Sequence, residues 1–440
     1  MVLGMVASPP PDKLLSRRIF LGMTGFGLTA LVFPGTLVAQ PAAVASELRA
    51  RAGAAKLRGE GQAATAILGF DGVTPGPLLR AKRGEDFNLR VTNELAEPIA
   101  IHWYGMRISN GVDGGRDMNG PLVAPGASFA YRFRPPDAGT FWYRAVAADQ
   151  VSRGLYGLMI VDDTAETQVD REVILILDDW PLETDGALVA SPSSTAKAQI
   201  TVNGLPRLDI SVRTNERVRF RILNASTARA LSVRIDQHRP IVMAIDGQPS
   251  EPFPARDARV TLAPGNRVDL FVDTLLSADA SAPILIGNGG EETPIARIVY
   301  ERGAPARPVA LTEPRALPPP ALPAKMDLAR AQRRELPVDA GANAPPQRQA
   351  LLTVKRGQTV VLALPNRTAA AYAMHLHGHH FRLLDALDDG WKPFWLDTVV
   401  VPPSQTTRIA FVADNPGKWP VRCTRLGDGA PGADRWFEVT

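Results

Sequence analysis

Residues 373–381 read AMHLHGHHF and hold four of the six histidines in this 440-residue chain. Further along, residues 421–424 read VRCT and hold the only cysteine, Cys423. A thiolate together with imidazoles is a ligand set that copper favours. However, the neighbours of Cys423 are an arginine and a threonine, where imidazoles would be needed. The two stretches therefore indicate the frame of a metal site whose ligand set is incomplete.

The sequence around these stretches is typical of a protein built from β-strands. Short apolar runs bounded by Gly, Pro, Asn and Asp predict strands at 91–93, 219–224, 260–262, 269–272 and 359–364. The 39 prolines and 37 glycines suit a sandwich with many turns. A helical period is visible only around 328–334. We therefore expect an all-β fold.

Two short patterns recur three times in the same order. A basic turn precedes a strand and then Asn93, Asn224 or Asn366, and a proline turn follows at 124–126, 263–265 and 401–403. The copies follow one another at intervals of roughly 130–140 residues, which is the size of a domain. The sequence therefore predicts three copies of one sandwich. We place these domains at 46–165, 166–302 and 326–440, with a proline-rich linker at 303–325.

The first 45 residues are interpreted as an export signal. Arg17 and Arg18 precede an apolar stretch that glycines and Pro34 dilute, and small residues at 43–45 offer a cleavage site. Paired arginines before a weakly hydrophobic segment resemble a Tat signal. The same glycines and proline weaken the alternative of a membrane anchor. We therefore expect a periplasmic protein with no stable membrane span after signal cleavage.

Charge and motif content exclude several classes of function. The formal net charge is +4 without a block of like charges, so we expect no nucleic-acid partner. The chain contains no GxSxG elbow, phosphate loop, CxxC pair or dinucleotide fingerprint. Cys423 lies in an apolar run and is expected to be buried. The pair Asp178 and Asp179 is interpreted as a solvated strand end, and Asp113 as a turn residue.

The ordered landmarks of the chain are similar to those of the multicopper oxidases, the laccase-like cupredoxin family. The landmarks span about residues 65–440 and include GVTPGPLLR at 72–80, IHWYG at 101–105, GTFWY at 139–143, APGNRVD at 263–269 and MHLHGHHF at 374–381. The resemblance implies three cupredoxin-like Greek-key β-sandwich domains. It also implies a copper-dependent oxidoreductase, provided that the copper ligands are present.

Carried over position by position, the resemblance implies that most copper ligands are missing. At the type 1 centre Cys423 remains, while Tyr372 and Asp428 replace imidazoles and Ala433 takes the axial position. At the oxygen-reducing cluster, three ligands remain: His102, His375 and His377. The other cluster positions hold Tyr104, Arg144, Val146, Arg422 and Thr424. Because a guanidinium is always protonated and has no lone pair, such a set cannot hold the family's four-copper arrangement.

Two hypotheses follow from this pattern. In the favoured one, the chain binds no cofactor, has no catalytic residues and acts as a binding or structural protein with an unidentified periplasmic protein partner. It then resembles the copper-free, Tat-exported cell-division branch of the family. Arg144 and Arg422 would replace the charge of copper, fill the cavity and pair with carboxylates such as Asp113 or Asp428.

The alternative hypothesis is an oxidoreductase with one copper ion in a type 2-like site. Its metal ligands would be His102, His375 and His377, because three imidazoles are enough for one copper or zinc ion. His379 and His380 lie next to the motif, and neither is expected to be a ligand. Cys423 is a vestigial type 1 position in both hypotheses.

Overall fold

The computed structural model describes residues 47–440 except 115–119, 164, 166–167, 190–197, 288–289, 341–348, 386–389 and 392–393. The predicted export signal at 1–45 lies outside the described residues. The described part holds 29 strands, one short helix, α1 (Ala148–Ser152), and two 3-10 turns, Asn110–Val112 and Arg256–Ala258. None of its helices is long and apolar enough to cross a membrane. The prediction of an all-β fold is confirmed.

The first eight strands form two four-stranded sheets around one core. They are β1 (Glu47–Ala55), β2 (Thr65–Phe70), β3 (Gly76–Lys82), β4 (Phe87–Asn93), β5 (Ile101–Tyr104), β6 (Ser128–Phe133), β7 (Gly139–Ala145) and β8 (Tyr156–Asp162). The sheet orders are β2-β1-β4-β6 and β3-β8-β7-β5. The pairs β1–β4 and β3–β8 are parallel, and the other pairs are antiparallel. Large aromatic side chains from both sheets, such as Trp103, Tyr131 and Tyr143, fill the core between them.

The next eleven strands form a second pair of sheets. They are β9 (Arg171–Pro181), β10 (Ala198–Val202), β11 (Leu208–Val212), β12 (Glu216–Asn224), β13 (Leu231–Ile235), β14 (Ile241–Ile245), β15 (Gln248–Pro254), β16 (Arg259–Leu262), β17 (Arg267–Thr274), β18 (Ser281–Gly287) and β19 (Thr293–Tyr300). The sheet orders are β10-β9-β12-β17-β14-β15 and β11-β19-β18-β13-β16. Aliphatic side chains such as Val218, Ile222 and Ile284 fill the core of this pair.

The last ten strands form a third pair of sheets. They are β20 (Gln332–Glu335), β21 (Thr353–Val354), β22 (Thr359–Pro365), β23 (Tyr372–Leu376), β24 (Arg382–Asp385), β25 (Gly390–Trp391), β26 (Thr398–Val401), β27 (Thr406–Val412), β28 (Gly417–Arg425) and β29 (Pro431–Val439). The sheet orders are β20-β22-β27-β24-β25 and β21-β29-β28-β23-β26. Residues 301–331, between β19 and β20, contain neither helix nor strand. The exact domain and linker boundaries stay a prediction.

The three repeated asparagines occupy equivalent buried positions at the ends of β4, β12 and β22. Each side-chain oxygen accepts a hydrogen bond from the backbone N–H two residues ahead, at 3.0, 3.1 and 3.0 Å for Asn93, Asn224 and Asn366. Each side-chain amide donates at 2.9, 2.9 and 3.2 Å to a carbonyl at the proline turn, from Val123, Leu262 and Val401 respectively. The repeat therefore closes the same loop three times.

Two local predictions are wrong. The segment 328–334 does not form a helix, because β20 begins within it at Gln332 and pairs in parallel with β22, with Gln332 opposite Val360. Asp178 does not lie at a solvated strand end either. It is buried within β9, where the Tyr156 hydroxyl donates a hydrogen bond to its Oδ2 at 2.5 Å. Burial also raises the pKa of Asp178 well above its ordinary value.

Candidate metal centre

Two strands bring the three predicted metal-binding histidines together. His102 lies on β5, His375 lies on β23 and His377 follows directly after β23. Met374 and Leu376 point into the core, so the alternation of a strand turns His375 to the opposite face. The ligand nitrogens of the three histidines lie within 4.8 Å of one another. Within the described ranges, this is the only cluster of three or more histidines, cysteines or acids close enough for one metal ion.

The outer nitrogens of His102 and His375 are held by acceptors. His102 Nδ1 lies 2.8 and 3.0 Å from the two carboxylate oxygens of Asp113. His375 Nδ1 lies 3.1 Å from the backbone carbonyl of Asp397. Because carbonyl and carboxylate oxygens only accept, both Nδ1 atoms carry the proton and donate. Asp113, which taken alone is interpreted as a turn residue, does follow the 3-10 turn Asn110–Val112, and its buried carboxylate also orients His102.

The inner nitrogens of the same two histidines face each other. His102 Nε2 lies 3.0 Å from His375 Nε2. Burial chiefly lowers the pKa of His375, to about 3, so this ring is neutral near pH 7 and its Nε2 carries a lone pair. A neutral His102 would place a second lone pair against the first. The contact therefore requires either a proton shared by the two Nε2 atoms or a metal ion bound by both.

His377 completes the cluster from one side. Its ring stacks on His102 with 3.9 Å between the ring centroids and 28° between the planes. Its Nδ1 lies 3.7 Å from Asp113 Oδ2 and has no hydrogen-bond partner. Metal–nitrogen bonds of about 2.0–2.1 Å join nitrogens no more than about 4.2 Å apart. The 4.8 Å span of the three ligand atoms means that they must draw closer to bind one ion together.

A cavity of about 80 Å³ adjoins the three histidines. Its walls include the five residues that the resemblance assigns to the other cluster positions, namely Tyr104, Arg144, Val146, Arg422 and Thr424. Residues that are far apart in the sequence therefore line the same cavity in the structure. Tyr104 stacks on His375 with 3.7 Å between centroids, and its hydroxyl lies 2.9 Å from Thr398 Oγ1. Arg144 and Arg422 lie in the cavity walls, as expected from the sequence, and about 80 Å³ between the lining side chains is not filled by them.

The carboxylate partners named for the two cavity arginines, Asp113 and Asp428, are wrong, although Arg422 does pair with another carboxylate, Asp434. Asp428 binds Arg425, with 3.0 Å from Nε to Oδ1, because the loop that carries it turns back onto β28. The strand register places Asp434 opposite Arg422, and Arg422 Nε lies 3.3 Å from Asp434 Oδ1. Arg144 has no carboxylate partner within the described part of the chain, and its Nε donates to the carbonyl of Ala145 at 3.2 Å.

The predicted type 1 position lies in a packed apolar environment. Cys423 is 3% exposed, which confirms its predicted burial. It belongs to the same core cluster as Tyr372 and Ala433. Burial raises the pKa of the Cys423 thiol to about 12, so the thiol is neutral near pH 7. Asp428, which stands where the resemblance expects an imidazole, forms an ion pair with Arg425.

The two remaining motif histidines are buried outside the cluster. His379 Nδ1 lies 3.2 Å from the carbonyl of His377, and His380 Nε2 lies 3.2 Å from the carbonyl of Asp246. Both contacts are to carbonyl oxygens, which a protonated ring nitrogen donates to. Neither side chain belongs to the group that could hold one metal ion.

Sequence reasoning missed a buried ion network behind His375. Arg267 binds Asp397 through two contacts of 2.7 and 3.0 Å, and both side chains have no exposed surface. The backbone N–H groups of Arg267 and Asp397 donate to the carboxylate of Asp246 at 3.0 and 3.1 Å. Arg267 also donates to the carbonyl of Thr140 at 3.2 Å. The network therefore ties β17 to β7 and to the start of β26.

Sequence comparison matches three segments of the chain to family models, each described as multicopper oxidase. The segments are 52–166, 171–282 and 317–426. Among relatives by sequence, the multicopper oxidase MmcO of Mycobacterium tuberculosis is 29% identical, covering 81% of this chain and 80% of that protein. The L-ascorbate oxidase of Cucumis sativus is 26% identical and covers 81% and 83%.

Solved structures give the same result. Lac15 from a marine microbial metagenome superimposes with a TM-score of 0.78 at 34% identity, covering 90% of this chain and 100% of Lac15. A multi-copper oxidase from Pseudomonas thermotolerans superimposes with a TM-score of 0.80 at 28% identity, covering 90% and 98%. The predicted cupredoxin-like β-sandwich fold is confirmed by these matches.

Proposed function

Because this chain belongs to the multicopper oxidase family, we propose that it is a member without the four-copper catalytic centre. It acts without oxidase turnover, as a binding or structural protein. The observation that carries this proposal is the cavity beside the three histidines, where Arg144, Arg422, Val146 and Thr424 stand in place of imidazoles.

The residues around this cavity do not fit a copper cluster. A guanidinium group donates hydrogen bonds but offers no lone pair to a metal. Two of them next to three imidazoles also repel an incoming cation. Val146 contributes only methyl groups, and the Thr424 hydroxyl is not among the ligands that copper favours. No reaction step through a copper cluster follows from this set of side chains.

The position at which the family takes up electrons has changed as well. A type 1 centre needs a cysteine thiolate and two imidazoles in trigonal geometry. Cys423 instead packs with Tyr372 and Ala433 in the apolar core. On either side of the cysteine, Arg422 and Thr424 stand where the resemblance expects histidines. A one-electron path from Cys423 to the cavity is therefore not supported.

The proposal includes a location and a kind of partner. Arg17 and Arg18 before a weakly hydrophobic segment support export to the periplasm by the Tat pathway. The resemblance to the copper-free, Tat-exported cell-division branch supports a protein partner there. No cofactor is required for such a role.

Oxygen uptake tests the absence of turnover. The protein is loaded with copper under anaerobic conditions, dialysed and mixed with a phenolic substrate in an oxygen electrode. We expect no uptake above that of free copper at the same concentration, because the cavity lacks the ligands for a copper cluster. Steady uptake in proportion to the protein concentration would contradict the proposal.

The facing nitrogens of His102 and His375 favour a second candidate function, a copper protein with one type 2-like site. In many metal sites, a carboxylate or carbonyl holds the second nitrogen of each histidine ligand. Asp113 and the carbonyl of Asp397 hold His102 and His375 in this way. His377 would supply the third nitrogen. A single bound copper ion would supply one-electron redox chemistry at this place.

Substitution of His375 separates the second candidate from the first. If one copper ion binds here, His375→Ala should remove it, because one of the two facing nitrogens is lost. His238→Ala is a matched control, since that imidazole binds Tyr300 and lies outside the cluster. Metal analysis and electron paramagnetic resonance should then show about one copper in the wild type and the control, and none in His375→Ala. Absence of copper from all three would leave the copper-free function.

A further inference from the structure

The cavity beside the histidines is lined by positive charge, of which only Arg422 has a carboxylate partner, Asp434, and that carboxylate lies outside the lining. Arg144 and Arg422 both lie in its walls, and no carboxylate does. The remaining lining consists of imidazoles, hydroxyls and apolar groups. A charge that is taken out of water is costly unless an opposite charge accompanies it. Two guanidinium groups around one cavity therefore create a site with a strong preference for an anion.

Both arginines keep hydrogen-bond donors free. Arg422 Nη2 is buried and has no hydrogen-bond partner. Its Nε lies 3.3 Å from Asp434 Oδ1 on β29, and Asp434 does not line the cavity. Arg144 makes one hydrogen bond, from Nε to Ala145, so its two terminal nitrogens have no partner within the described part of the chain. A guanidinium carries five N–H donors in a planar fork that matches the oxygens of a carboxylate or phosphate.

The two guanidinium groups also affect each other. Burial lowers the pKa of Arg144 to about 10, and the charge of Arg422 contributes to the lowering. Both groups line the same cavity, so their charges act on the same space. An anion between the two arginines would offset their mutual repulsion.

We propose that this cavity binds a small oxyanion, held by the guanidinium groups of Arg144 and Arg422. The inference rests on the proposed absence of a copper cluster, whose place the anion takes. A volume of about 80 Å³ holds roughly two or three water molecules, at about 30 Å³ each, or one ion of similar size. Thr227 and Thr424 are half-buried and also line the cavity, where their hydroxyl groups add hydrogen-bond donors. Phosphate, sulfate, bicarbonate and simple carboxylates share the required chemistry.

Titration calorimetry tests the proposal on the full-length mature protein. Sodium phosphate, sulfate, bicarbonate and acetate are titrated separately at constant ionic strength in a chloride buffer. We expect at least one of them to bind at one site per chain, and the order of affinities identifies the class. In Arg422→Gln and in Arg144→Gln, the dissociation constant should rise at least tenfold, because each loses charge-assisted hydrogen bonds.

Arg297→Gln serves as the matched control, because Arg297 is an exposed arginine paired with Asp209 and does not line the cavity. It should bind the anion as the wild type does. Circular dichroism of each variant establishes that it is folded. The proposal is overturned if no oxyanion binds the folded wild type, or if both cavity variants bind like the control.

Copper analysis of the same samples separates this proposal from the proposed function. The anion could instead bind to a copper ion. In that case, binding would need copper-loaded protein, would be abolished by a chelator and would survive Arg422→Gln. This result would overturn the proposal. Copper-free protein that binds no oxyanion overturns the proposal alone and leaves the proposed function standing. A full copper complement would contradict the proposed function whatever the anion does.

Discussion

Replacement of Arg267 by methionine is expected to lower the free energy of unfolding by about 3–5 kcal/mol. Arg267 has no exposed surface and binds both carboxylate oxygens of Asp397 at 2.7 and 3.0 Å. Methionine fills a similar volume but leaves the charge of Asp397 without a partner in the interior. The Asp246 carboxylate, 3.5 Å from Arg267 Nη1, loses the same neighbour. An unpaired buried charge is among the most destabilising changes that a single substitution makes.

The measurement is urea unfolding followed by tryptophan fluorescence. Arg297→Met is the matched control, because its ion pair with Asp209 joins two side chains that are 57% and 59% exposed. Exposed pairs of this kind contribute about 0–1 kcal/mol, so the control should unfold close to the wild type. Equal effects of the two substitutions would contradict the assigned role of the Arg267 network.

The double substitution Tyr372→His and Asp428→His is expected to turn Cys423 into a copper ligand. A thiolate and two imidazoles form the trigonal set of a blue-copper site. Tyr372 and Cys423 lie on the hydrogen-bonded strands β23 and β28 and belong to the same core cluster. In the wild type, burial keeps the thiol protonated, with a pKa of about 12. A bound cation reverses this, because a coordinating thiol is deprotonated by the metal.

The expected result is strong visible absorption after copper addition, whereas the wild type is expected to stay colourless. The loss of the Arg425–Asp428 ion pair should cost little, because both side chains keep contact with water, at 41% and 28% exposure. The same double variant with Cys423→Ser is the control and should stay colourless. Copper uptake by the double variant without thiolate absorption would show that these positions do not surround Cys423 as the resemblance implies.

Much of the fold was predictable because its signals are local. Turn formers around short apolar runs located β4, β12, β16, β17 and β22. Each of three basic turns is followed by a strand and an asparagine, so the pattern could be recognised as a repeat. In the structure, the three asparagines make the same hydrogen bonds. The segment 328–334 was misread because a parallel partner, β22, decides its conformation. Local periodicity cannot report such a distant partner.

The histidine cluster was predictable for a different reason. His375 and His377 are spaced as in a strand motif, and His102 was found through the resemblance of a second motif. The Arg267–Asp397 pair spans 130 positions, and the Asp246–Asp397 contact spans 151. No local pattern marks either pair. The partner of Arg422 was mispredicted because the register of β28 on β29, which brings Asp434 opposite, is not visible in the sequence.

The open, positively charged cavity bears directly on the proposed loss of copper ligands. A protein that had only shed its copper ligands would be expected to close the space with apolar side chains, since small voids cost packing contacts. Here two arginines without a carboxylate partner in the cavity wall keep about 80 Å³ open. Guanidinium groups at positions where the resemblance expects imidazoles therefore favour the proposed anionic ligand.

Copper analysis tests the proposed loss of the four-copper centre most directly. The protein is purified from cells grown with added copper, and its metal content and visible spectrum are measured together. The ligand set predicts at most one copper ion per chain and no intense blue absorption. A full complement of four copper ions per chain, with the blue absorption of a type 1 centre, would contradict the proposed loss of that centre.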